Sequence, residues 1–200
     1  MPKAEPFERH TERYEGWFEE HEAAYQSELE ALRRFIPTTG YGIEIGVGSA
    51  RFAAPLGMQV GIDPAGKMLE YARERGIEVV KGVAESLPFK DATFDTALIV
   101  ATICFVDDIP QTLTEAARVL RPDGALVIGY IDKNSPVGEV YQETQSRNPF
   151  YREAVFVSTE ELVDALETAG FTDFEFVQTI YHWPGEVEKP EPIEPGYGEG

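Results

Sequence analysis

The sequence predicts a doubly wound α/β fold, a mostly parallel Rossmann-like sheet with helices on both faces. Three observations predict it. Short apolar runs alternate along the chain with segments of helical period. Those runs are near-continuous in apolar residues, as strands buried on both faces are. The first run also delivers a glycine turn, Gly46-Val47-Gly48, with Glu44 two places before it and Asp63 seventeen residues after Gly46. A strand that ends in a glycine turn, followed by a strand that ends in a carboxylate, is the arrangement of a mononucleotide-type cofactor pocket.

Each element has its local signal. Residues 6–35 are helical in period, with Phe18, Tyr25, Leu29 and Leu32 on one face, and the expected break is near Gly16. Pro37 and Gly40 end that region. Residues 41–45 read as a buried strand, 49–56 as a short helix, 60–62 as the second strand, and 65–75 as a helix stopped by Gly76. Residues 77–81 form the third strand and 94–102 the fourth. Pro110 opens a helix through Leu120. Arg121-Pro122-Asp123-Gly124 turns into a fifth strand, 125–131. Ser158-Thr159-Glu160-Glu161 is a capping box that opens a helix to Ala169, stopped by Gly170. Residues 171–181 read as a sixth strand. The remainder places Pro184, Pro190, Pro192 and Pro195 among glutamates, a composition that does not build a core.

Composition narrows the function classes. Two hundred residues with 42% hydrophobic content make one globular domain of ordinary size. The 36 acids against 17 bases give a net charge of −19, a field that repels nucleic acid and anionic membranes. Neither is expected as a partner. The single cysteine, Cys104, forms no intramolecular disulfide and reads as a small core residue, and the N-terminus shows no basic-then-apolar leader. A cytoplasmic location is the expectation. His10, His21 and His182 lack ligand spacing, so no metal is expected.

Five segments in order resemble one family. Glu44-Ile45-Gly46-Val47-Gly48, Gly61-Ile62-Asp63, Ala84-Glu85-Ser86-Leu87-Pro88-Phe89, Phe94-Asp95 and Arg118 to Gly124 are similar to the motifs of class I S-adenosylmethionine-dependent methyltransferases, and within them to the ubiquinone-biosynthesis-type small-molecule group. The resemblance implies S-adenosylmethionine as cofactor, with S-adenosylhomocysteine as product, and a small-molecule substrate. It implies that Gly46 and Gly48 admit the methionine part, that Glu44 lies near its ammonium, and that Asp63 accepts from the ribose hydroxyls. Ala84 and Glu85 line the adenine, Pro64 and Met68 cover its apolar face, and Ala101 offers a carbonyl to the ammonium. Residues 1–36 become an N-terminal helical lid, 37–182 the cofactor-binding domain, and 183–200 a Pro/Glu-rich tail. Tyr14, Trp17, Phe105 and Tyr130 are candidates for the substrate pocket, although an aromatic stripe on a helix often serves packing alone.

Three departures shape the expectations. Ala50 replaces the third motif glycine, Val83 stands where an acid often precedes the alanine, and Cys104-Phe105 stand where relatives often carry a histidine. No general base is inherited, and none of His10, Tyr14, His21, Tyr130 and Asp132 is singled out as catalytic. In-line displacement on an activated sulfonium rests on orientation and exclusion of water, and a base matters only where the acceptor must first lose a proton. A cofactor-binding module with little catalysis is the alternative. An NAD(P)-dependent oxidoreductase is a more distant one, because Arg51 stands where that fingerprint places its last glycine. The chain is expected to be a monomer or homodimer. The family's final antiparallel strand is expected to be missing, leaving a truncated sheet.

Overall fold

The computed structural model describes residues 2–200. Five strands, β1 (Gly42–Ile45), β2 (Val60–Asp63), β3 (Glu78–Lys81), β4 (Phe94–Val100) and β5 (Leu120–Gly129), form one parallel sheet in the order β3-β2-β1-β4-β5. The order reverses at β1, which pairs with β2 through Ile43↔Val60 and with β4 through Gly42↔Thr96. Right-handed crossovers place all the strand C-termini on one edge, and the crevice lies where the order reverses. That edge carries the turn after Ile45, then Asp63, the loop after Lys81 and the loop after Val100.

Both faces of the sheet are buried. One face packs Ile43, Ile45, Ile62, Phe94 and Ile99 against Leu113, Ala116 and Val119 of α5 (Ile109–Val119) and Leu162 and Leu166 of α7 (Thr159–Thr168). The other packs Leu98 and Val127 against Leu69 and Ala72 of α4 (Gly66–Glu74), Phe18 of α2 (Thr11–Glu20), and Leu29 and Leu32 of α3 (Glu22–Arg33). The caps are those the sequence announces. Ser158 Oγ accepts from Glu161 N while the Glu161 carboxylate accepts from Ser158 N. Gly76, at φ 85°, follows α4.

The structure corrects four expectations. The N-terminal helices break at His10 and His21, not at Gly16, which lies inside α2. A helical glycine costs only about 1 kcal/mol, and the buried Glu15 and Phe18 on either side of it outweigh that. Residues 49–56 form irregular turns instead of a helix. Ala50 holds φ 64°, and the Ala53 amide donates to the Glu44 carboxylate rather than up a helical ladder. The expected sixth strand shrinks to β6 (Val177–Gln178), outside the main sheet, because Asp173 and Ile180 take positive φ and end the extended run. Residues 183–200 also pack on the body: Pro184 is buried, Glu191 N donates to Ser27 Oγ (2.9 Å), and β7 (Glu194–Pro195) pairs antiparallel with β6. The truncated sheet is observed, with β5 as an edge of its five strands.

One helix is new. α6 (Pro136–Thr144) is capped by Ser135, whose Oγ accepts from Gly138 N (3.1 Å), with Pro136 in its first turn. That Ser-Pro start is a visible helix signal. Ala24, Val137, Tyr141, Phe156 and Ile180 form a third apolar cluster that ties α6 to α3. Among the described residues no helix is long and apolar enough to cross a membrane.

Candidate active site

The glycine turn is held open by backbone bonds. Gly46 N and Val47 N donate to Ile62 O at 2.8 and 3.0 Å, which fixes the turn against β2. Gly46 (φ 77°) and Gly48 (φ 50°) both lie in the left-handed region, where only glycine is unstrained. A Cβ on Gly46 would meet Thr102 at 2.3 Å. Asp63, at the end of β2, closes the cradle. Its Oδ2 accepts from Gly48 N (3.0 Å) and its Oδ1 from Ala65 N (2.8 Å). Burial pushes the carboxyl up to about 6, the two amides pull it back, and Glu8 adds to the rise. Ala101 holds φ 48° and donates its N–H to Gly129 O (2.8 Å). A non-glycine residue in that region marks a backbone constrained for function or by packing.

A cavity of about 130 Å³ gathers Gly46, Gly48, Asp63, Pro64, Met68, Ala84, Glu85 and Ala101 on its walls, with Tyr14 and Phe105. Eight of the nine residues expected to hold the cofactor therefore converge. Glu44 is the exception. It is 1% exposed on β1 and does not line the cavity; its Oε2 has no hydrogen-bond partner among the described residues. Burial holds it well above the usual carboxylate range, with the Asp63 charge adding and the Ala53 amide opposing. Glu85 reaches the cavity, but its Oε1 accepts from Asp107 N (2.6 Å) and Asp108 N (3.4 Å), which ties it to the approach to α5.

Two of the family-like segments prove to be a clamp. Arg118 donates to Leu87 O (2.9 Å) and Phe89 O (2.8 Å) and pairs with Glu115, whose carboxylate also accepts from Leu87 N (2.7 Å). Arg118 thus holds the loop that carries Ala84 and Glu85. Gly124 is the close-approach position, since a Cβ there would meet Asp95 O at 3.1 Å.

The N-terminal helices roof the site. Glu15 of α2 accepts from Arg51 Nε (3.0 Å) and Nη2 (2.7 Å) and from Arg75 Nη2 (2.5 Å), and Arg75 Nη1 donates to Ser49 O (2.7 Å). Burial alone would raise Glu15; the Arg75 and Arg51 hydrogen bonds hold it below the usual carboxylate range. Arg51, the residue that spoils a dinucleotide fingerprint, here ties α2 to the chain just after the glycine turn. At α1 (Glu5–Arg9), Phe7 packs edge-on to Tyr14 and Phe105, with centroids at 5.8 and 5.1 Å. Glu8 caps α4 by accepting from Lys67 N (3.2 Å), and Lys3 Nζ donates to Val106 O (2.8 Å). Glu15, Arg75, Thr102, Phe7 and Lys3 were not among the expected site residues. Only the tertiary fold brings them to the turn, and no local pattern marks them.

A second, larger cavity of about 1230 Å³ shares the wall of Phe7, Tyr14, Val100, Ala101 and Tyr151 with the first and runs on along β5. Trp17 and Tyr130 line this one alone, whereas Phe105 lines only the smaller, and Tyr14 stands at the junction. Burial, then the charges of Glu44 and Asp63, raise the Tyr14 phenol, so it stays protonated near neutrality. Tyr130 Oη is bonded to Thr159 Oγ1 (2.5 Å), and Asp132 accepts from Thr159 Oγ1 (2.6 Å) and Asn134 N (2.8 Å). Both are engaged in hydrogen bonds within the fold. Among the described residues no group of three or more His, Cys, Asp or Glu is placed to hold a metal ion.

Comparison with known proteins agrees with this geometry. A family model described as a methyltransferase domain matches residues 43–128, the span from β1 to β5. An uncharacterized protein of Methanocaldococcus jannaschii is 41% identical over 97% of this chain and 94% of its own. A crystal structure from Thermotoga maritima, described as a S-adenosylmethionine-dependent methyltransferase and possible histamine N-methyltransferase, is 48% identical, covers 98% of this chain and 95% of its own, and superposes with a TM-score of 0.95. The glycine cradle, the carboxylate on β2 and near-complete overlap with that relative lead to one assignment: the chain belongs to the S-adenosylmethionine-dependent methyltransferases of class I fold.

Proposed function

We propose that this enzyme transfers the methyl group of S-adenosylmethionine to a small-molecule nucleophile, and that within its family it sits with the small-molecule enzymes of the ubiquinone-biosynthesis type. The observation that carries the reading is the joined pair of cavities. One is built of glycine turn, carboxylate and small residues, the other carries Trp17, Phe150 and Tyr151 among its wall residues, and Tyr14 and Ala101 stand where they meet. The cradle suits the donor: two left-handed glycines bring bare backbone to the cavity, and Asp63 has unused lone pairs beside its two amide donors. Asp63 would take the ribose hydroxyls, Met68 and Pro64 the adenine face, Ala84 its edge, and Gly46 to Gly48 the methionine part. When bound, the donor supplies a methyl on a positively charged sulfur, already activated.

The chain's own contribution is position. The roof of α1 and α2 excludes water, and the junction wall aligns the acceptor with the donor. Tyr14 keeps its proton, so its hydroxyl is available at the junction as a hydrogen-bond donor. No side chain at the junction is set up as a strong base, so the acceptor is one that reacts without prior deprotonation or that loses its proton afterwards to solvent. The Thermotoga maritima relative's description, a possible histamine N-methyltransferase, supports a nitrogen acceptor of metabolite size.

Isothermal titration calorimetry tests the donor assignment. S-adenosylmethionine and S-adenosylhomocysteine should both bind, and Asp63→Ala should weaken both by about 10- to 100-fold, the loss of one or two charge-assisted hydrogen bonds. No binding to the wild type at large excess would remove the reading. Formation of S-adenosylhomocysteine with a metabolite panel separates an enzyme from a silent binding module.

A further inference from the structure

Glu28 lies on α3 and lines the larger cavity but not the donor cavity. Among the described residues it has no hydrogen-bond donor and no Lys, Arg or His as partner. Its surroundings are aromatic. Tyr14, Trp17, Tyr141 and Tyr151 share the cavity wall with it. Tyr141 packs on Tyr151 (4.9 Å) and on Trp183 (5.0 Å), which makes a continuous ring surface. Burial and then the Glu28 charge push the Tyr141 phenol up, so the two groups are electrostatic neighbours. Of the cavity's basic side chains, Arg118 and Arg121 are already paired with Asp91 and Asp95, Arg13 is exposed on α2, and His21 packs edge-on to Trp17 with centroids at 5.1 Å.

Glu28 is half-buried among these rings, and a carboxylate drawn partly out of water with no ion-pair partner is a place for a cation to supply the charge. Burial alone moves Glu28 up to about 7, which keeps a substantial ionised fraction at neutral pH and leaves it ready to ionise fully beside a cation. Aromatic faces add to the attraction for a cation. The net charge of −19 draws cations toward the molecule.

We propose that the methyl acceptor is a small molecule with two functional ends: a nucleophilic atom that reaches the Tyr14–Ala101 junction, and a cationic amine that Glu28 holds at the aromatic end of the larger cavity. The proposal rests on the methyltransferase reading and sharpens it. Glu28 lines only the acceptor cavity, so it binds the end of the substrate away from the reacting atom. It is a substrate-binding and specificity-setting residue, and the transferred methyl does not reach it.

Calorimetry on the protein saturated with S-adenosylhomocysteine tests it. The ligands are histamine and tyramine, each paired with the carboxylate of similar skeleton, imidazole-4-acetate and 4-hydroxyphenylacetate. At least one amine should bind and its carboxylate counterpart should not. Glu28→Gln, which keeps shape and removes charge, should weaken the amine by about 10- to 100-fold. It should leave S-adenosylhomocysteine binding unchanged, and Glu28→Asp should recover part of the loss. Binding of neither amine, equal binding of amine and carboxylate, or an unchanged amine affinity in Glu28→Gln each overturns the proposal. Should Glu28→Gln fail to fold, the amine-against-carboxylate comparison on the wild type decides alone. Titration of S-adenosylhomocysteine into the wild type comes first, so a failure of the donor reading is seen separately from a failure at Glu28.

Discussion

Gly46 is the residue at which sequence, backbone and chemistry meet most tightly. Its φ of 77° and the 2.3 Å that would separate a Cβ from Thr102 leave no room for alanine. Left-handed strain of about 1–3 kcal/mol adds to the clash, so Gly46→Ala should lower the unfolding free energy by about 2–4 kcal/mol in urea melts and abolish donor binding. Gly57→Ala, in open space at a similar φ of 74°, isolates the strain from the clash and should cost less and leave binding intact. Asp63 gives a prediction with a sign. Its carboxyl sits at about 6, above the ordinary carboxylate value. Above pH 6 it is ionised, and both oxygens can accept from a ligand. As pH falls through 6 it takes a proton and loses acceptor capacity. Donor affinity should therefore be flat from pH 7 upward and weaken below 6, and Asp63→Asn should show a weak, pH-independent affinity in the same titration. The folding contribution runs the other way. A raised carboxyl stabilises the native state while protonated, and that contribution is lost as pH rises through 6. The convergence of Gly46, Gly48, Asp63 and Met68 was legible because two adjacent parallel strands and the start of the next helix place them, with spacings fixed over some twenty residues. Glu44 and Glu85 were legible as positions but not as roles. The amides that claim them, Ala53 in one case and Asp107 and Asp108 in the other, belong to turns whose course no local pattern fixes.

At the scale of elements, the roof depends on the Glu15 carboxylate. One acid on α2 joins two arginines, Arg51 beside the glycine turn and Arg75 after α4, and Arg51 also stacks on Phe18 at 5.1 Å. Removing the acid leaves two half-buried guanidinium groups facing each other. Breaking such a pair costs about 3–5 kcal/mol when fully buried, so for these partly exposed partners Glu15→Ala should cost about 2 kcal/mol. Hydrogen exchange should then show α2 opening ahead of the sheet, and donor affinity should fall without any lost contact to the donor itself. Because Glu15 is held low, its stabilisation is complete above the ordinary carboxylate pKa and disappears as pH drops below it. α1 should be more mobile still. The 130 Å³ cavity proposed for the donor is smaller than the several hundred Å³ that a ligand of this size needs, and Phe7, with Lys3 and Ala4, forms part of its wall. Phe7→Ala should speed donor association in stopped-flow measurements and raise its dissociation rate. The elements that the sequence made plain are those whose caps and apolar period are local: β1 to β5, α4, α5 and the Ser158 capping box of α7. The Gly16 break, the helix at 49–56 and the sixth strand failed for one reason. Tertiary partners, such as the Ala53 amide turning to Glu44 or Glu191 drawing the chain's end back onto Tyr181 N (2.6 Å), outweighed propensities worth a few tenths of a kcal/mol per residue.

For the whole molecule, charge governs how the fold responds to its solvent. Nineteen uncompensated negative charges on a chain of 200 residues repel one another at separations comparable to a Debye length. Against that stand the ion pairs, most of them with at least one partner well exposed, such as Arg9–Glu5 and Arg33–Glu30. Exposed pairs are worth about 0–1 kcal/mol each and are screened by the same salt. The two effects oppose each other, and the magnitudes decide between them. The pairs that matter to the fold, Glu15 with its arginines and Arg118 with Glu115, are partly buried and screened least, while the net repulsion is spread over the exposed surface and screened most. Added salt should therefore stabilise this protein. Raising sodium chloride from about 0.05 M to about 1 M, which shortens the Debye length to about 3 Å, should raise Tm by several degrees in differential scanning calorimetry. A Tm that fell instead would mean that surface ion pairs, and not the apolar clusters on the two faces of the sheet, carry the stability of the fold. The same screening bears on the acceptor: if the acidic field helps gather a cationic substrate, association should slow with salt while the dissociation rate, set inside the cavity, should barely change.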